Sequence, residues 1–393
     1  MPRSSRPEFA APRLIATTVE LDSVCRRLAA EEFVTVDTEF MRERTYWPEL
    51  CVVQLAGDSE VAVVDAQADT LDLAPLGRLM AAPVLKVFHA ARQDIEIFVL
   101  KFGAVPQPLF DTQIAAMVAG FGDQVGYDSL VGSLTGGAID KAHRFSDWSA
   151  RPLSPAQIAY AAADVTHLRE VYRKLRARLE REGRLDWVAE EMAVLSDPAT
   201  YRANPDTAWE RLRPRSNNRR FLGVLRALAA WREREAQRVN IPRQRLLRDE
   251  TLLEIAATAP VTPDALARAR GVTRGFAEGR SGSALLQAVA DAVQVPEQDL
   301  PPPPAGRDGG KPSQALVALL KVLLAAKCER HHVATRLVAS SDDIDRLVLE
   351  DAPDIPALHG WRREVFGNDA LALKQGRIAL GAAGREIRLI PVP

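Results

Sequence analysis

The stretch FVTVDTEF, residues 33–40, decides the fold of this chain. Phe33 to Val36 are typical of a buried β-strand, and Asp37 and Glu39 follow directly. Because side chains alternate across a strand, the two acids point to the same face. A buried carboxylate without a partner is destabilising or shifts its pKa, and a second one beside it adds repulsion. A cation between them resolves both problems, so the stretch predicts a metal site.

Two further acids lie in separate apolar segments, Asp94 in FHAARQDIEIF and Asp164 in YAAADV. Carboxylate oxygens select hard cations such as Mg²⁺ or Mn²⁺, and carboxylates around two such ions are usual equipment for phosphodiester hydrolysis. Zinc is disfavoured because few His and Cys residues accompany the acids. A two-carboxylate glycosidase site would account for acids alone, but not for four of them in three segments.

Residues 13–205 are predicted to form one α/β domain. Strand-like runs cover 33–37, 51–55, 61–65 and 84–89, and helical periodicity covers 73–81, 94–102 and 155–182. Gly57 and Asp58 separate the second strand from the third at hairpin spacing. Hairpin strands followed by strand–helix alternation predict a mixed sheet flanked by helices.

The rest of the chain is predicted to be helical, in two regions. Residues 213–296 contain an amphipathic helix, and 314–393 open with an apolar one. Between them, 297–313 are rich in proline and glycine, as in a linker. IPRQRLLRDETLLEI (241–255) aligns without a gap to VATRLVASSDDIDRL (333–347), which predicts two copies of one small helical module.

Composition excludes several classes of protein. The chain has 393 residues, of which 47% are hydrophobic, so it can build two or three domains and is not globally disordered. No apolar run approaches ~18 residues, so no membrane span is predicted. Residues 1–12 are polar and interrupted by proline, which predicts a disordered tail and not a secretory signal. Three scattered cysteines form no disulfide framework, which predicts a reducing, cytoplasmic location.

The net charge of −1 conceals an asymmetry. Residues 211–248 contain twelve Arg and two Glu, a formal charge of +10, which leaves −11 for the remainder. This concentration predicts a polyanionic partner, although a solvated helix face is the alternative. Arg213, Arg215, Arg219 and Arg220 lie in a polar segment before the amphipathic helix and are predicted to contact phosphates.

Tyr160 lies four residues before Asp164 on a predicted helix, so the two share one face. Three alanines separate them and leave that face open. A Tyr hydroxyl one turn from a metal-bound carboxylate can orient an attacking water. Packing is the alternative role for such a tyrosine.

These segments together resemble a known family. VDTEF resembles the first motif of the DEDD exonuclease superfamily, FHAARQDIEIF the second, and YAAADV the third in its tyrosine-bearing subclass. With TYWPELCVVQLA, FDTQIAA and SDWSARPLSPAQIAYAAADV, they resemble ribonuclease D over the whole chain. The resemblance implies an RNase H-like α/β exonuclease domain over 13–205, followed by two all-α HRDC-type domains over 213–296 and 314–393.

The resemblance also implies a metal-dependent 3′→5′ exoribonuclease that trims tRNA precursors at single-stranded 3′ ends and releases nucleoside 5′-monophosphates. Asp37, Glu39, Asp94 and Asp164 would hold two divalent ions, Mg²⁺ or Mn²⁺, and Tyr160 would position the nucleophilic water. RNA would be the partner, with no membrane and no obligate protein partner.

Three other residues carry predictions. His89 is expected to contact the substrate backbone near the metals or to pack locally. Trp148 is expected to stack a terminal base or to lie in the core. Asp111 is expected to cap a helix over 112–120 and not to bind metal.

Two rival functions remain at this point. The four acids would serve a DEDD-type exonuclease acting on DNA equally well, because discrimination depends on contacts to the 2′-hydroxyl. A catalytically inert RNA-binding scaffold is the other rival, and the presence of all four acids disfavours it.

Overall fold

The computed structural model describes residues 11–212, 214, 216–302 and 312–392. Most of the predicted tail (1–12), much of the predicted linker (297–313), and Arg213 and Arg215 lie outside the described residues. The described chain forms two compact units. The first comprises the described parts of Met1–Glu39, Leu50–Tyr201 and Gly309–Pro393, and the second those of Phe40–Glu49 and Arg202–Asp308.

The first unit is built on a mixed six-stranded sheet, as the sequence predicts. Its strands are β1 (Arg13–Ile15), β2 (Phe33–Met41), β3 (Glu49–Ala56), β4 (Val61–Asp65), β5 (Leu85–Phe88) and β6 (Leu109–Asp111). They lie in the order β1-β4-β3-β2-β5-β6. The predicted hairpin is confirmed, because β3 and β4 are antiparallel. Parallel pairing joins β1 to β4, β2 to β5 and β5 to β6.

Helices cover this sheet and include all three that the periodicity predicts. They are α1 (Thr18–Leu28), α2 (Ala74–Ala81), α3 (Arg92–Phe102), α4 (Thr112–Val118), α5 (Tyr127–Thr135), α6 (Pro155–Arg181) and α7 (Leu185–Ser196). A capping box between Ser154 and Gln157, with Pro155 in the first turn, fixes the start of α6. The Thr35 hydroxyl of β2 donates to the Val165 carbonyl of α6 at 2.8 Å. This bond brings the middle of α6 against the central strand.

The second unit is helical apart from Phe40–Glu49. Its helices are α8 (Arg219–Val239), α9 (Arg243–Leu246), α10 (Asp249–Thr258), α11 (Pro263–Leu266), α12 (Arg274–Glu278) and α13 (Arg280–Gln294). Short 3₁₀ turns add Pro205–Leu212 here and Pro198–Tyr201 in the first unit. Leu225 and Leu228 of α8 and Leu285 of α13 are fully buried in one apolar cluster. The three-residue spacing of leucines in α8 therefore marks its core face.

The C-terminal region belongs to the first unit. It contains α14 (Gln314–His331), α15 (Thr335–Val338), α16 (Ser341–Leu349), α17 (Gly360–Arg362), a π-helical turn (Arg363–Gly367) and α18 (Asn368–Lys374). A two-stranded antiparallel hairpin follows, β7 (Ile378–Ala383) and β8 (Glu386–Pro391), which an all-α expectation does not include.

This region packs closely on the helices of the α/β domain. The rings of Trp187 in α7 and Trp361 in α17 stack with centroids 4.5 Å apart. The Arg184 guanidinium donates to the His332 carbonyl at 3.0 Å, and Arg362 forms an ion pair with Glu191. The C-terminal region is thus structurally part of the first unit, whereas the sequence predicts it to be a separate module.

The helices around residues 241–255 and those around residues 333–347 begin and end at positions that the alignment of the two segments makes equivalent. Helix α8 ends at Asn240 with φ 51°, and α14 ends at His332 with φ 48°, both left-handed. Each is followed by a four-residue helix, α9 or α15, and then by a second helix starting at Asp249 or Ser341. The landmarks fall at aligned positions, which supports the predicted duplication of one helical module.

In the part of the chain that the structure describes, no helix combines the length and apolarity needed to cross a bilayer.

Candidate active site

Three of the four predicted acids converge at the far end of β2. One carboxylate oxygen from each of Asp37, Glu39 and Asp164 lies within 4.8 Å of the others. Strand β2 supplies the first two, past the Phe33–Thr35 stretch that pairs with β5, and α6 supplies the third. Two segments that lie far apart in the sequence therefore supply one carboxylate cluster.

Asp94 lies beside this cluster, in the first turn of α3, with 6% of its surface exposed. The Thr38 hydroxyl, between Asp37 and Glu39 on β2, donates to the Asp94 carboxylate. Asp94 also contributes electrostatically, because it is one of the charges that raise the pKa of Glu39. The charges of the other three predicted acids thus all act on Glu39.

Burial and mutual repulsion make these carboxylates reluctant to ionise. Burial raises the pKa of Asp37 to about 6, although a backbone hydrogen bond to its carboxylate acts to lower it. Burial and then the charge of Asp37 raise the pKa of Asp164 to about 8, and burial with all three other acids raises that of Glu39 to about 9. Burial and Asp37 also hold the pKa of Asp94 well above its usual range. Burial and repulsion destabilise the ionised form of these crowded carboxylates, and a hard divalent cation bound by their oxygens would compensate both.

Tyr160 lies one turn from Asp164 on α6, as predicted, and its phenol acts to lower the pKa of the Asp164 carboxyl against the rise that burial and Asp37 cause. Burial, followed by the charges of Asp164, Glu39 and Asp37, raises the pKa of the Tyr160 phenol well above its usual range. The phenol is therefore protonated at any physiological pH.

Asp37, Tyr160 and Asp164 line a cleft of about 280 Å³. His89 lines it too, and its Nδ1 lies 3.0 Å from the Thr112 hydroxyl. Burial lowers the pKa of His89 to about 4, so its ring is neutral near pH 7. The sequence prediction placed His89 near the metals, and the structure brings it to the same cleft.

Tyr127 is a cleft residue that sequence reasoning missed. It begins α5, its hydroxyl donates to the Asp164 carbonyl, and its ring centroid is 5.0 Å from that of His89. It therefore holds the turn of α6 that carries Asp164. A Tyr outside any motif gave no signal, because its partner is a backbone atom 37 residues away.

Two cations also line the cleft, Lys141 and Arg144, and both were missed. Lys141 forms an ion pair with Asp128 at 2.6 Å. They lie in an irregular segment between α5 and α6, where no periodicity marks a side chain's direction. Asp128 lines the same cleft and neutralises Lys141, so Arg144 supplies the positive charge at this otherwise acidic site.

Trp148 is only 2% exposed, and its ring centroid lies 6.0 Å from that of Tyr160. It supports the Tyr160 side chain and presents no open face on which a base could stack. Of the two roles that the sequence left open for Trp148, the structure favours the core role.

Asp111 caps a helix, as predicted. Its carboxylate accepts hydrogen bonds from the backbone of Gln113 at 2.7 Å and Ile114 at 3.4 Å, at the start of α4. It also accepts from the N–H groups of Ala90 and Ala91, at 3.0 and 2.9 Å. Asp111 thereby fixes the turn that leads from His89 into α3 and toward Asp94.

Two of the four arginines predicted to contact phosphates, Arg219 and Arg220, lie in the second unit. Arg219 donates to the Leu300 carbonyl at 2.7 Å, and Arg220 to the Val293 carbonyl at 3.0 Å. Both guanidinium groups thus serve the fold of this unit. Arg213 and Arg215 lie outside the described residues.

Comparison with known proteins follows the same division of the chain. Residues 12–180 match the family model of a 3′-5′ exonuclease, and residues 221–289 match that of the HRDC domain. The sheet, the carboxylate cluster and Tyr160 define the class as a 3′→5′ exonuclease.

Full-length relatives narrow the class. The chain is 68% identical over 392 residues to ribonuclease D of Granulibacter bethesdensis, with 99% of each chain covered. It is 69% identical over 392 residues to ribonuclease D of Gluconacetobacter diazotrophicus, with 100% of each covered. The crystal structure of Escherichia coli RNase D superimposes with a TM-score of 0.81 at 30% identity, covering 93% of this chain and 99% of that one. The chain belongs to the ribonuclease D family, and its activity is that of a 3′→5′ exoribonuclease.

Proposed function

We propose that this enzyme trims the 3′ ends of tRNA precursors and other structured RNAs, releasing nucleoside 5′-monophosphates, with two Mg²⁺ or Mn²⁺ ions at its site. The observation that carries the proposal is the convergence of Asp37, Glu39 and Asp164 within 4.8 Å, beside Asp94 and Tyr160. E. coli RNase D is described as an exoribonuclease involved in structured RNA processing, which supports the substrate class.

The carboxylates of Asp37, Glu39, Asp94 and Asp164 would hold the ions. Their raised pKa values are the physical reason, since a divalent cation compensates both the burial and the repulsion. When bound, such ions supply an activated water and neutralise charge that develops on the phosphate.

Tyr160 would position the attacking water. Its phenol is protonated and lies one turn from Asp164 on α6, so its oxygen could accept a hydrogen bond from the water and orient it. Tyr127 keeps the Asp164 turn in place from the opposite side. These two tyrosines position the water and the Asp164 carboxylate, and the mechanism does not require proton transfer from the phenol.

Size and charge of the cleft fit the end of a single strand. A volume of about 280 Å³ lies just below the usual range for ligand pockets of ~300–1,000 Å³, which fits a terminal nucleotide better than a duplex. Arg144 is placed to neutralise phosphates, and neutral His89 can hydrogen-bond to the backbone of the strand. Without such a cation the acidic cluster would repel RNA.

The second unit would capture the RNA body. A groove of about 790 Å³ between α8 and α13 carries Arg226, Arg234, Arg238 and Arg280. Arg234 and Arg238 already pair with Asp206 and Glu235, and the charge of Arg280 also acts on Glu235. The phosphate contacts predicted for Arg213, Arg215, Arg219 and Arg220 are still proposed, but the groove arginines are the better placed group.

We also assign the enzyme to the cytoplasm. Its substrate class is RNA, and Cys25, Cys51 and Cys328 are all buried thiols outside any disulfide in the described residues, which suits a reducing compartment.

A 3′-extended tRNA transcript, labelled at its 3′ end, tests the proposal. With Mg²⁺ the label should appear as a nucleoside 5′-monophosphate from the first turnover, and EDTA should stop its release. A matched DNA strand should be degraded more slowly. Release of oligonucleotides, or a preference for DNA, would contradict the proposal.

A further inference from the structure

Phe145 is the most exposed large hydrophobic side chain that the structure describes, with 90% of its surface accessible. It lies in the irregular segment between α5 and α6, next to Arg144. Full exposure of an aromatic ring is unfavourable in water, because its apolar area gains nothing from burial. The ring therefore contributes little to the stability of the fold.

The position of Phe145 connects it to the reaction. Arg144 lines the catalytic cleft together with Asp37 and Tyr160. Its guanidinium carbon lies 5.5 Å from the centroid of the Phe145 ring. Arg144 thus contacts the cleft on one side and the exposed ring on the other.

The segment that carries the ring is held in a defined turn. The Arg144 N–H donates to the Lys141 carbonyl at 3.3 Å, and the Ser146 N–H to the His143 carbonyl at 3.0 Å. His143 Nδ1 lies 3.1 Å from the Ser146 hydroxyl. Lys141 is anchored in turn by Asp128. These bonds present Phe145 at the rim of the cleft without burying it.

We propose that Phe145 is a base-stacking residue for the RNA strand close to its 3′ end. Proteins that bind single strands combine cations along the backbone with aromatic rings on which bases stack, whatever their sequence. Arg144 covers one face of the Phe145 ring by a cation–π contact, which leaves the other face for a base. The inference rests on the proposed function and adds a contact that Trp148, being buried, does not offer.

The test uses a single-stranded RNA oligonucleotide and the variants Phe145→Ala, Phe145→Leu and Phe145→Trp. Loss of one stacked base should raise KM about 5- to 100-fold in Phe145→Ala. The value of kcat should change little, because stacking is equal in the ground and transition states. Phe145→Trp should retain the wild-type KM. Phe145→Leu, apolar but without a π-face, should resemble the alanine variant.

An abasic scan locates the stacked nucleotide. Removing the base at one position near the 3′ end should weaken wild-type binding as much as Phe145→Ala does, and should weaken the variant no further. A 2-aminopurine at that position should be quenched by the wild type and not by Phe145→Ala, a readout that is independent of turnover. Val19→Ala, which changes another highly exposed side chain (81%) on α1, serves as the matched control and should leave KM unchanged.

A KM for Phe145→Ala within twofold of the wild type, or additive effects at every abasic position, would overturn the stacking role. Equal effects of the leucine and tryptophan variants would overturn it as well. The wild type in the same assay reports separately on the proposed function. If it degrades RNA while Phe145→Ala is unaffected, the exonuclease assignment stands and only the stacking role fails.

Discussion

Replacing Glu39 by Gln should stabilise the metal-free enzyme at alkaline pH. Burial and the charges of Asp37, Asp164 and Asp94 raise the pKa of Glu39 from 4.5 to about 9. Glutamine keeps the size and hydrogen-bonding capacity of the side chain but cannot ionise. The substitution therefore removes an electrostatic cost while leaving the packing intact.

The sign and size follow from proton linkage. Between pH 4.5 and about 9 the folded state retains a proton on Glu39 that the unfolded state releases, so the free energy of unfolding falls as pH rises. At 1.36 kcal/mol per pH unit, the loss from pH 5 to pH 8 is at most about 4 kcal/mol. Since Asp37, Asp94 and Asp164 share protons with Glu39, we expect on the order of 2 kcal/mol.

The assay is thermal unfolding in EDTA at pH 5 and pH 8. Glu39→Gln and the wild type should have similar Tm values at pH 5, and the variant should melt roughly 4–8 °C higher at pH 8. With saturating Mg²⁺ the order should reverse, because only the wild type keeps all its ligands. Glu32→Gln is the matched control, since the Glu32 side chain is 78% exposed, and it should leave Tm nearly unchanged. Destabilisation of the metal-free enzyme by Glu39→Gln at pH 8 would refute the reasoning.

Three further predictions concern individual side chains. The Tyr160→Phe variant should bind RNA with near wild-type affinity and lower kcat by about 10²-fold, because the lost hydroxyl is the group proposed to orient the water. Single-turnover kinetics check this. Lost affinity with unchanged kcat would assign Tyr160 to substrate contact. Tyr127→Phe should lower kcat by about tenfold with KM unchanged, since it frees the Asp164 turn, and an unaltered kcat together with a lower Tm would make its role structural. The double variant Arg226→Gln and Arg280→Gln should reduce the slope of log affinity against log salt concentration for long RNA by about 0.7 per lost contact. Titration at several salt concentrations measures this slope, and binding of short oligonucleotides should be unaffected. An unaltered slope would exclude the groove as an RNA-binding surface.

Local sequence predicted the clustered acids because each lies in a short segment whose own pattern fixes its direction. Asp37 and Glu39 follow an apolar strand, and Tyr160 and Asp164 share a helix face. What the sequence did not give was their separation. The 4.8 Å cluster depends on contacts such as the bond from Thr35 to Val165, which joins positions far apart in the chain.

The features that the sequence did not predict lie in irregular segments or depend on burial in the folded chain. Arg144 and Phe145 lie in a segment without periodicity, so nothing in the sequence distinguishes the cleft-lining cation from the exposed ring. Trp148, three residues later, is buried, although composition alone leaves either role open. The C-terminal region shows helical patterns of its own, and only three-dimensional contacts such as the stack of Trp187 on Trp361 reveal that it is part of the catalytic unit.

The central claim is that the acidic cluster performs metal-dependent hydrolysis from the 3′ end of RNA. The most direct measurement follows 5′-labelled single-stranded RNA with Mg²⁺, using the wild type and Asp94→Asn at equal thermal stability. The wild type should shorten the strand in single-nucleotide steps, and Asp94→Asn should be slower by on the order of 10³-fold or more, the effect of losing one metal ligand. Near wild-type shortening by Asp94→Asn, or shortening that persists in EDTA, would contradict the account.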